Sequence, residues 1–307
     1  MTPMAGASEI VDIAELDCVY LSYDEPRKEE FWAKISAMVP WAKRVDGVKG
    51  SDAAHKAAAT ASDTERFILI DGDNLPYEHF FNQQLILDDT NKHAVFRWKA
   101  VNAINGLTYG NGGISCWTKK FVADMRTHEN TDGSDATQVE FCWNDDYWAM
   151  HDVYSTTHPN QSPYHAWRAG FREGVKMCLD RGVKPSLMEF QDRVSKGNLR
   201  NLSVWHNIGA DAEHGVWAML GARMGTHMTM IGGWDYRKVH DFDEIRSVFD
   251  SEIADLVFDY DMLEDYGVQL YSKLGLKIIR DDAPFSDFFK SYSAPRVNKG
   301  IMVREGL

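Results

Sequence analysis

The fold is determined by residues 66–74, which read RFILIDGDN. Phe67 to Ile70 are four consecutive apolar residues, a run that is typical of a strand buried on both faces. The run leads directly into Asp71-Gly72-Asp73, in which one glycine separates two carboxylates. Many strands also end in an ordinary Asp-Gly turn, so the triplet alone leaves a plain turn and a functional site about equally open.

The residues before this strand predict alternating strands and helices. Residues 17–22 (DCVYLS) predict a first strand, residues 27–38 a helix, and residues 41–48 a loop or a short second strand. Ser51 is a suitable N-cap for the alanine-rich helix that follows, and Asp63 ends that helix. This order is typical of a parallel α/β sheet.

In such a sheet, ligands bind beyond the carboxyl ends of the strands. Asp24 follows the first strand, and Asp71 and Asp73 follow the strand of residues 66–70. We therefore expect these two segments, which are far apart in the sequence, to face the same crevice.

The remainder of the chain predicts one further strand and mainly helices. Residues 93–98 alternate like a strand, and residues 127–135 are polar like a surface loop. Residues 165–181 predict a helix rich in arginine and lysine, and residues 241–265 predict an acidic helical stretch. The tail from Asp281 contains two prolines, and we expect it to be a loop.

The composition indicates a protein of ordinary globular type. The chain has 307 residues, with 33 basic and 46 acidic side chains and a net charge of −13, which argues against non-specific coating of nucleic acid. A local basic groove remains compatible with this charge. No apolar run is long enough for a membrane helix, the first residues do not resemble a secretory signal, and the four cysteines are scattered. We expect a cytoplasmic protein with reduced thiols.

Two carboxylates held by a rigid strand suit a divalent cation. Mg²⁺ and Mn²⁺ prefer oxygen ligands and leave coordination positions for the phosphates of a substrate. A metal at Asp71 and Asp73 would neutralise a diphosphate leaving group. The residue types therefore favour chemistry on a phosphorylated substrate if the triplet is a site.

The stretches KGSDAAHKAAA (residues 49–59) and TERFILIDGDN (residues 64–74) resemble the core of GT-A glycosyltransferases, especially glycosyltransferase family 2. The resemblance covers about the first half of the chain. It implies a GT-A-like, Rossmann-type, mostly parallel sheet flanked by helices, with a nucleotide-sugar-binding core in residues 1–150. Residues 151–307 would then form the acceptor side and a helical C-terminal region continuous with the core.

The same resemblance assigns the donor site. It implies that the diphosphate of a nucleotide sugar, with a UDP-sugar expected, is bound with Mn²⁺ or Mg²⁺. The residues implied in donor binding are Ser22, Tyr23, Asp24, Arg44, Lys49, His55, Lys56, Asp71, Gly72 and Asp73. Asp71 and Asp73 would be metal ligands. A later histidine is implied as the third ligand, with His206 the first choice and His214 and His227 as alternatives.

Two further segments resemble the acceptor half of such enzymes. Asn111-Gly112-Gly113 resembles a glycine-containing acceptor loop, where the backbone must approach a sugar closely. Asp145 and Asp146 resemble the acidic motif that supplies the catalytic base in inverting members. These two acids are also typical of a helix N-terminus, where they need no catalytic role.

The segment SPYHAWRAGFREGVK (residues 162–176) resembles phage-encoded glycosyltransferases that modify hydroxymethylated DNA. The resemblance implies 5-hydroxymethylcytosine in phage DNA as the acceptor and the host cytoplasm as the location. Arg168 and Arg172 would bind phosphates, and Trp167 would stack on a base. A glycan, a protein or a small molecule remains an alternative acceptor. A nucleotidyltransferase and a non-catalytic nucleotide-sugar-binding protein remain alternative functions.

Overall fold

The computed structural model describes residues 8–108, 113–125, 127, 145–253, 258, 260–279 and 282–302, with side chains up to residue 292. The described residues form nine strands, which are β1 (Glu9–Asp12), β2 (Asp17–Ser22), β3 (Lys43–Asp46), β4 (Arg66–Asp71), β5 (Asn74–Pro76), β6 (Gln84–Leu87), β7 (Val95–Asn102), β8 (Ile114–Thr118) and β9 (Tyr147–Thr157).

The same part of the chain contains ten α-helices, which are α1 (Lys28–Met38), α2 (Ser51–Ala61), α3 (Lys119–Asp124), α4 (Pro163–Met177), α5 (Phe190–Arg193), α6 (Lys196–Asn207), α7 (Gly215–Met230), α8 (Phe242–Glu252), α9 (Tyr260–Leu274) and α10 (Ala283–Met302). Most of them follow β9, so the first half of the molecule is built on strands and the second half on helices.

Seven strands form the main sheet, in the order β3-β2-β4-β8-β7-β9-β5. Strands β2, β3 and β4 are parallel to one another, and β7 is parallel to β9. Strand β8 is antiparallel to both β4 and β7, and β5 is antiparallel to β9. The sheet is therefore mixed, with five strands pointing one way and β8 and β5 pointing the other. A separate antiparallel pair joins β1 to β6.

The predicted strands around the Asp-Gly-Asp triplet are confirmed. Strand β4 is buried on both faces, as its apolar run requires. Phe67 and Leu69 pack with the alanines of α2 on one face, whereas Ile68 and Ile70 pack with α1 on the other. Strands β2 and β4 are parallel neighbours, with Leu21 opposite Asp71. This pairing places the ends of the two strands side by side.

The helical half is organised by a very close contact between α4 and α7. Gly170 and Gly174 of α4 face the backbone of α7, and Gly221 and Gly225 of α7 face the backbone of α4. A Cβ at Gly170 would collide with the carbonyl oxygen of Ala218. Only glycine permits this approach. The contact fixes α4 as a rigid support for the side chains on its other face.

The C-terminal tail differs from the sequence prediction, which was wrong. Residues after Asp281 form α10 (Ala283–Met302) and not a loop. Tertiary contacts explain the helix: the buried Ser286 hydroxyl accepts a hydrogen bond of 3.1 Å from the Gly209 N–H, and Lys290 forms an ion pair with Asp211. These partners lie about 80 residues earlier in the chain, where local sequence patterns do not reveal them.

Strand β9 crosses the expected boundary at residue 150. Strand β9 runs from Tyr147 to Thr157 and pairs with both β7 and β5. The main sheet therefore extends past residue 150 to Thr157, and the helical half begins with α4 at Pro163. Of the predicted loop at residues 127–135, only Thr127 lies within the described residues.

Candidate functional site

The Asp71-Gly72-Asp73 turn lies at the carboxyl end of β4, beside the loop that follows β2. The Asp71 N–H donates to the Gly113 carbonyl, and the Tyr20 hydroxyl donates to the Gly72 carbonyl at 2.8 Å. A Cβ at Gly72 would lie 2.5 Å from the carboxylate carbon of Glu25. The turn is thus fixed by its backbone, and Gly72 leaves room for the Glu25 carboxylate.

Asp73 connects this turn to the end of β9. Its Oδ2 accepts a hydrogen bond from the Thr157 hydroxyl at 3.1 Å, and its carbonyl accepts one from the His158 N–H at 2.7 Å. The loop after β2 and the turn after β4 thus face the same crevice, as predicted, and the end of β9 contributes a third segment.

Three carboxyl groups with raised pKa values lie together at this point. Burial, followed by the negative charges of Asp73 and Glu25, raises the pKa of Asp71 to about 8. Asp71 is exposed to solvent at the end of β4, and Asp73 and Glu25 lie near its carboxyl group. Burial also raises the pKa of Asp73 and, with a contribution from Asp73 and Asp24, that of Glu25. The cluster would be stabilised by a proton or by a cation.

The opposite wall is the face of α4 that carries basic residues. Ser162 caps this helix by accepting from the His165 N–H, and Pro163 occupies its first turn. Arg168 Nη1 lies 3.2 Å from Asp24 Oδ2, and His165 Nε2 lies 3.6 Å from Asp24 Oδ1. His165 and then Arg168 hold the pKa of Asp24 at about 2. Asp24 therefore links the loop after β2 to α4.

The two walls enclose a crevice of about 100 Å³, lined by Glu25, Asp73, His158, Pro159, Gln161, His165, Arg168, Ala169 and Arg172. This volume is smaller than the roughly 300–1,000 Å³ that encloses a whole small ligand. The crevice can enclose a small charged group such as a phosphate, while the rest of a larger ligand would extend outwards.

A ready-made metal site is absent from the described residues, since no group of three or more His, Cys, Asp and Glu lies close enough to hold an ion. His206 as third ligand is a wrong prediction. It is fully buried between α6 and α7, with Nε2 3.0 Å from Thr226 Oγ1. Burial and the nearby Arg223 lower the pKa of His206 to about 3. The carboxylates of Asp71 and Asp73 remain as candidate ligands.

Two predicted donor residues, Ser22 at the end of β2 and Arg44 on β3, bind other side chains of the protein. Ser22 is buried and donates to Asp46 at 2.7 Å. Arg44 holds Glu29 through two hydrogen bonds of 2.6 and 2.7 Å and also contacts Ser22. Tyr23 is half exposed at the surface. These side chains stabilise the junction of α1, β2 and β3, beside the crevice but outside its lining.

Three further predicted donor residues lie just before α2 or on it. Lys49 is exposed and forms an ion pair of 2.7 Å with Asp243 of α8. His55 is buried against Trp117, with Nδ1 2.7 Å from the Ser51 carbonyl. Lys56 pairs with Asp52 one turn earlier on the helix surface. None of the three lines the crevice.

The predicted catalytic base is at the wrong end of the sheet. Asp145 and Asp146 lie in an exposed turn before β9, and the Asp146 carbonyl accepts from the N–H of Val95 at the start of β7. Thr157, which contacts Asp73, pairs with Asn102 at the other end of β7. Strand β7 rises by about 3.3 Å per residue, so about 20 Å separates these acids from Asp73. That is too far for proton transfer in the crevice.

The acceptor predictions have mixed outcomes. Asn111 and Gly112 lie outside the described residues, whereas Gly113 lies against Asn74 with a φ of +75°, which favours glycine. Trp167 is fully buried in the helical core, so its expected role of stacking on a base is wrong. Arg168 and Arg172 do line a site, but it is the crevice of Asp73.

The sequence analysis gave no role to Thr157, which donates to Asp73, or to six residues of the crevice lining, namely Glu25, His158, Pro159, Gln161, His165 and Ala169. Glu25 belongs to the loop that we had singled out for Asp24. The others could be found only by knowing that β9 and α4 close the crevice from the far side.

No protein-family model matches the chain, and no curated protein matches it. No helix within the described residues is long and apolar enough to cross a membrane. The functional argument therefore depends on the chemistry of the crevice.

Proposed function

We propose that this protein is a metal-dependent glycosyltransferase with a GT-A-like fold, which binds a nucleotide sugar at the crevice between Asp73 and α4. The proposal depends on one observation, which is that acidic and basic side chains line opposite sides of the same crevice. Carboxylates follow strand β4, which is parallel to β2, and the basic face of α4 lies opposite. A nucleotide sugar needs both, because its diphosphate is anionic and its sugar hydroxyls are hydrogen-bond donors.

The basic wall suits the diphosphate. Guanidinium groups bind phosphate oxygens through paired, charge-assisted hydrogen bonds, and Arg168 and Arg172 both line the crevice. A UDP-sugar is our first choice of donor. The volume of about 100 Å³ fits the phosphate end of such a donor, with the nucleoside extending beyond it.

The acidic wall, which consists of Asp71, Asp73 and Glu25, suits a divalent cation. Asp71 and Asp73 would hold Mn²⁺ or Mg²⁺, because burial raises the pKa of both carboxyl groups and a bound cation would favour their charged forms. The cation would supply positive charge to the departing diphosphate. The described residues provide two candidate ligands, and the oxygen atoms of the donor phosphates would add others.

The proposed acceptor is a hydroxyl group, with 5-hydroxymethylcytosine in phage DNA as the first choice because of the resemblance in residues 162–176. The burial of Trp167 removes one support for DNA. The net charge of −13 makes no difficulty for the alternative acceptors, namely a glycan, a protein or a small molecule. An assay that offers both hydroxymethylated DNA and free glycans distinguishes them.

We expect Asp73→Asn to abolish release of nucleoside diphosphate, because the exchange removes a negative charge from the centre of the acidic wall. The assay incubates the protein with Mn²⁺ and a panel of nucleotide sugars, with and without acceptors. We expect one donor to react and the variant to lose at least about 100-fold in rate. Asp192→Asn, at an exposed site on α5, is the control and should react like the wild type. Full activity of Asp73→Asn would refute the role of the acidic wall.

A further inference from the structure

Three basic side chains share one face of α4. His165, Arg168 and Arg172 are spaced three and four residues apart, which places them in a row along the helix. All three line the crevice, opposite Asp73 and Glu25. The close contact of Gly170 with α7 keeps the helix that carries them in place.

Arg172 is a desolvated cation that has no carboxylate partner among the described residues. Its guanidinium packs over the ring of Phe242 at 4.7 Å, and its Nε donates to the Val239 carbonyl at 3.3 Å. No acidic side chain within the described residues lies at ion-pair distance from it. Burial and the neighbouring Arg168 lower its pKa, although a guanidinium stays charged at neutral pH. Such a group is stabilised by an incoming anion.

Arg168 and His165 share one acidic partner within the described part of the chain. Asp24 lies 3.2 Å from Arg168 and 3.6 Å from His165, and the Asp24 side chain is 41% exposed, whereas those of the basic pair are 18% and 11% exposed. The His165 Nε2 atom is buried and has no hydrogen bond within the described residues. The basic pair therefore keeps hydrogen-bonding capacity that Asp24 does not use.

We infer that His165, Arg168 and Arg172 form an anion site for the phosphate groups of the donor, and that Asp24 occupies part of it until phosphate displaces its carboxylate. The site binds a phosphate without a divalent cation, since its positive charge comes from α4. This inference deepens the proposed function by naming the residues that recognise the donor. It rests on that proposal for the identity of the donor and not for the binding of phosphate.

The size of the crevice favours a small phosphate compound over the backbone of DNA. A volume of about 100 Å³ encloses one or two phosphate groups, and the basic side chains are largely buried. A duplex needs cations that stand out on a broad surface, because its phosphates lie on the outside of a rigid helix. We therefore expect pyrophosphate to reach these residues and duplex DNA to miss them.

Calorimetric titration with inorganic pyrophosphate, in EDTA and at low salt, tests the inference on the full-length protein. Arg172→Gln should weaken binding at least about tenfold, as expected for the loss of a charge-assisted contact. Arg172→Lys should keep part of the affinity. Arg193→Gln is the control, because Arg193 is half exposed on α5 and pairs only with Asp180 within the described residues. Circular dichroism melting of each variant verifies folding.

Asp24→Asn provides a second test with the opposite sign. If the Asp24 carboxylate competes with phosphate, its neutralisation frees Arg168 and His165, and pyrophosphate should bind about threefold or more tightly. Unchanged or weaker binding by this variant would contradict the competition.

The inference would be overturned if pyrophosphate did not bind in EDTA, or if Arg172→Gln and Arg193→Gln bound it equally. It would also be overturned if Arg172→Gln weakened binding of duplex DNA but not of pyrophosphate. Arg172-dependent pyrophosphate binding together with no reaction of any nucleotide sugar would support the anion site and refute the proposed transferase. The two proposals can therefore fail separately.

Discussion

At the residue scale, the acidic wall depends on Gly72. The Glu25 carboxylate fills the position that a Cβ of residue 72 would need, and this brings it near Asp73 and Asp71. The sequence revealed the two aspartates because they follow a buried strand. It did not reveal Glu25, because no local pattern indicates that the side chain of this glutamate points toward Gly72 and not into solvent.

Asp71 should make stability depend on pH. Its pKa is raised from 3.8 to about 8 in the folded protein, so folding favours the protonated form. The stability from this protonation is complete below the unfolded pKa, near pH 4, and is lost as the pH rises to about 8. In EDTA, Asp71→Asn should therefore raise the melting temperature more at pH 9 than at pH 5.

The measurement is the difference in melting temperature between Asp71→Asn and wild type at the two pH values. Asp192→Asn, at an exposed site on α5, is the control for the effect of the exchange itself. An Asp71→Asn difference that is equal at pH 5 and pH 9 would show that the carboxyl group is not perturbed.

At the scale of elements, those stabilised by local interactions could be predicted from the sequence. Those that depend on long-range contacts could not. Strands β2 and β4 and helices α1 and α2 follow from apolar runs, caps and propensities in their own residues. Helix α10 does not, because contacts with Gly209 and Asp211 stabilise it. The predicted site of the base failed for the same reason. The pairing of β9 with β7 decides which end of the sheet receives Asp146, and that register is not encoded locally.

The contact between α4 and α7 gives a matched pair of glycine substitutions. Gly170→Ala should destabilise the protein by about 1–3 kcal/mol, because the added methyl group collides with the Ala218 carbonyl and forces the helices apart. Gly197→Ala makes the same exchange in α6, where the nearest atom is Ser195 Oγ at 3.9 Å. It should leave stability unchanged or raise it by up to about 1 kcal/mol.

Urea unfolding of the two variants measures this difference directly. Because the two exchanges share the same chemistry, the difference between them isolates the helix contact from helix propensity. Equal stability of Gly170→Ala and Gly197→Ala would mean that α4 is not held against α7 as closely as the structure indicates.

At the scale of the whole molecule, the crevice lies where the sheet half meets the helical half. The Asp24–Arg168 contact joins the two halves at the crevice, and the Lys49–Asp243 ion pair joins them outside it. The predicted parallel arrangement of β2 and β4 placed the acidic wall correctly, because strands that run the same way end at the same edge. It could not place the basic wall, since the packing of α4 against that edge depends on residues about 100 positions away in the chain.

The central claim is that a nucleotide sugar binds with its phosphates between the acidic wall and α4. A crystal structure of the protein with UDP and Mn²⁺ tests it most directly. We predict electron density for the diphosphate beside Arg168 and Arg172, a metal ion at Asp71 and Asp73, and an Asp24 carboxylate that has moved away from Arg168. A diphosphate bound elsewhere, or a crevice that stays empty at saturating UDP, would contradict the account.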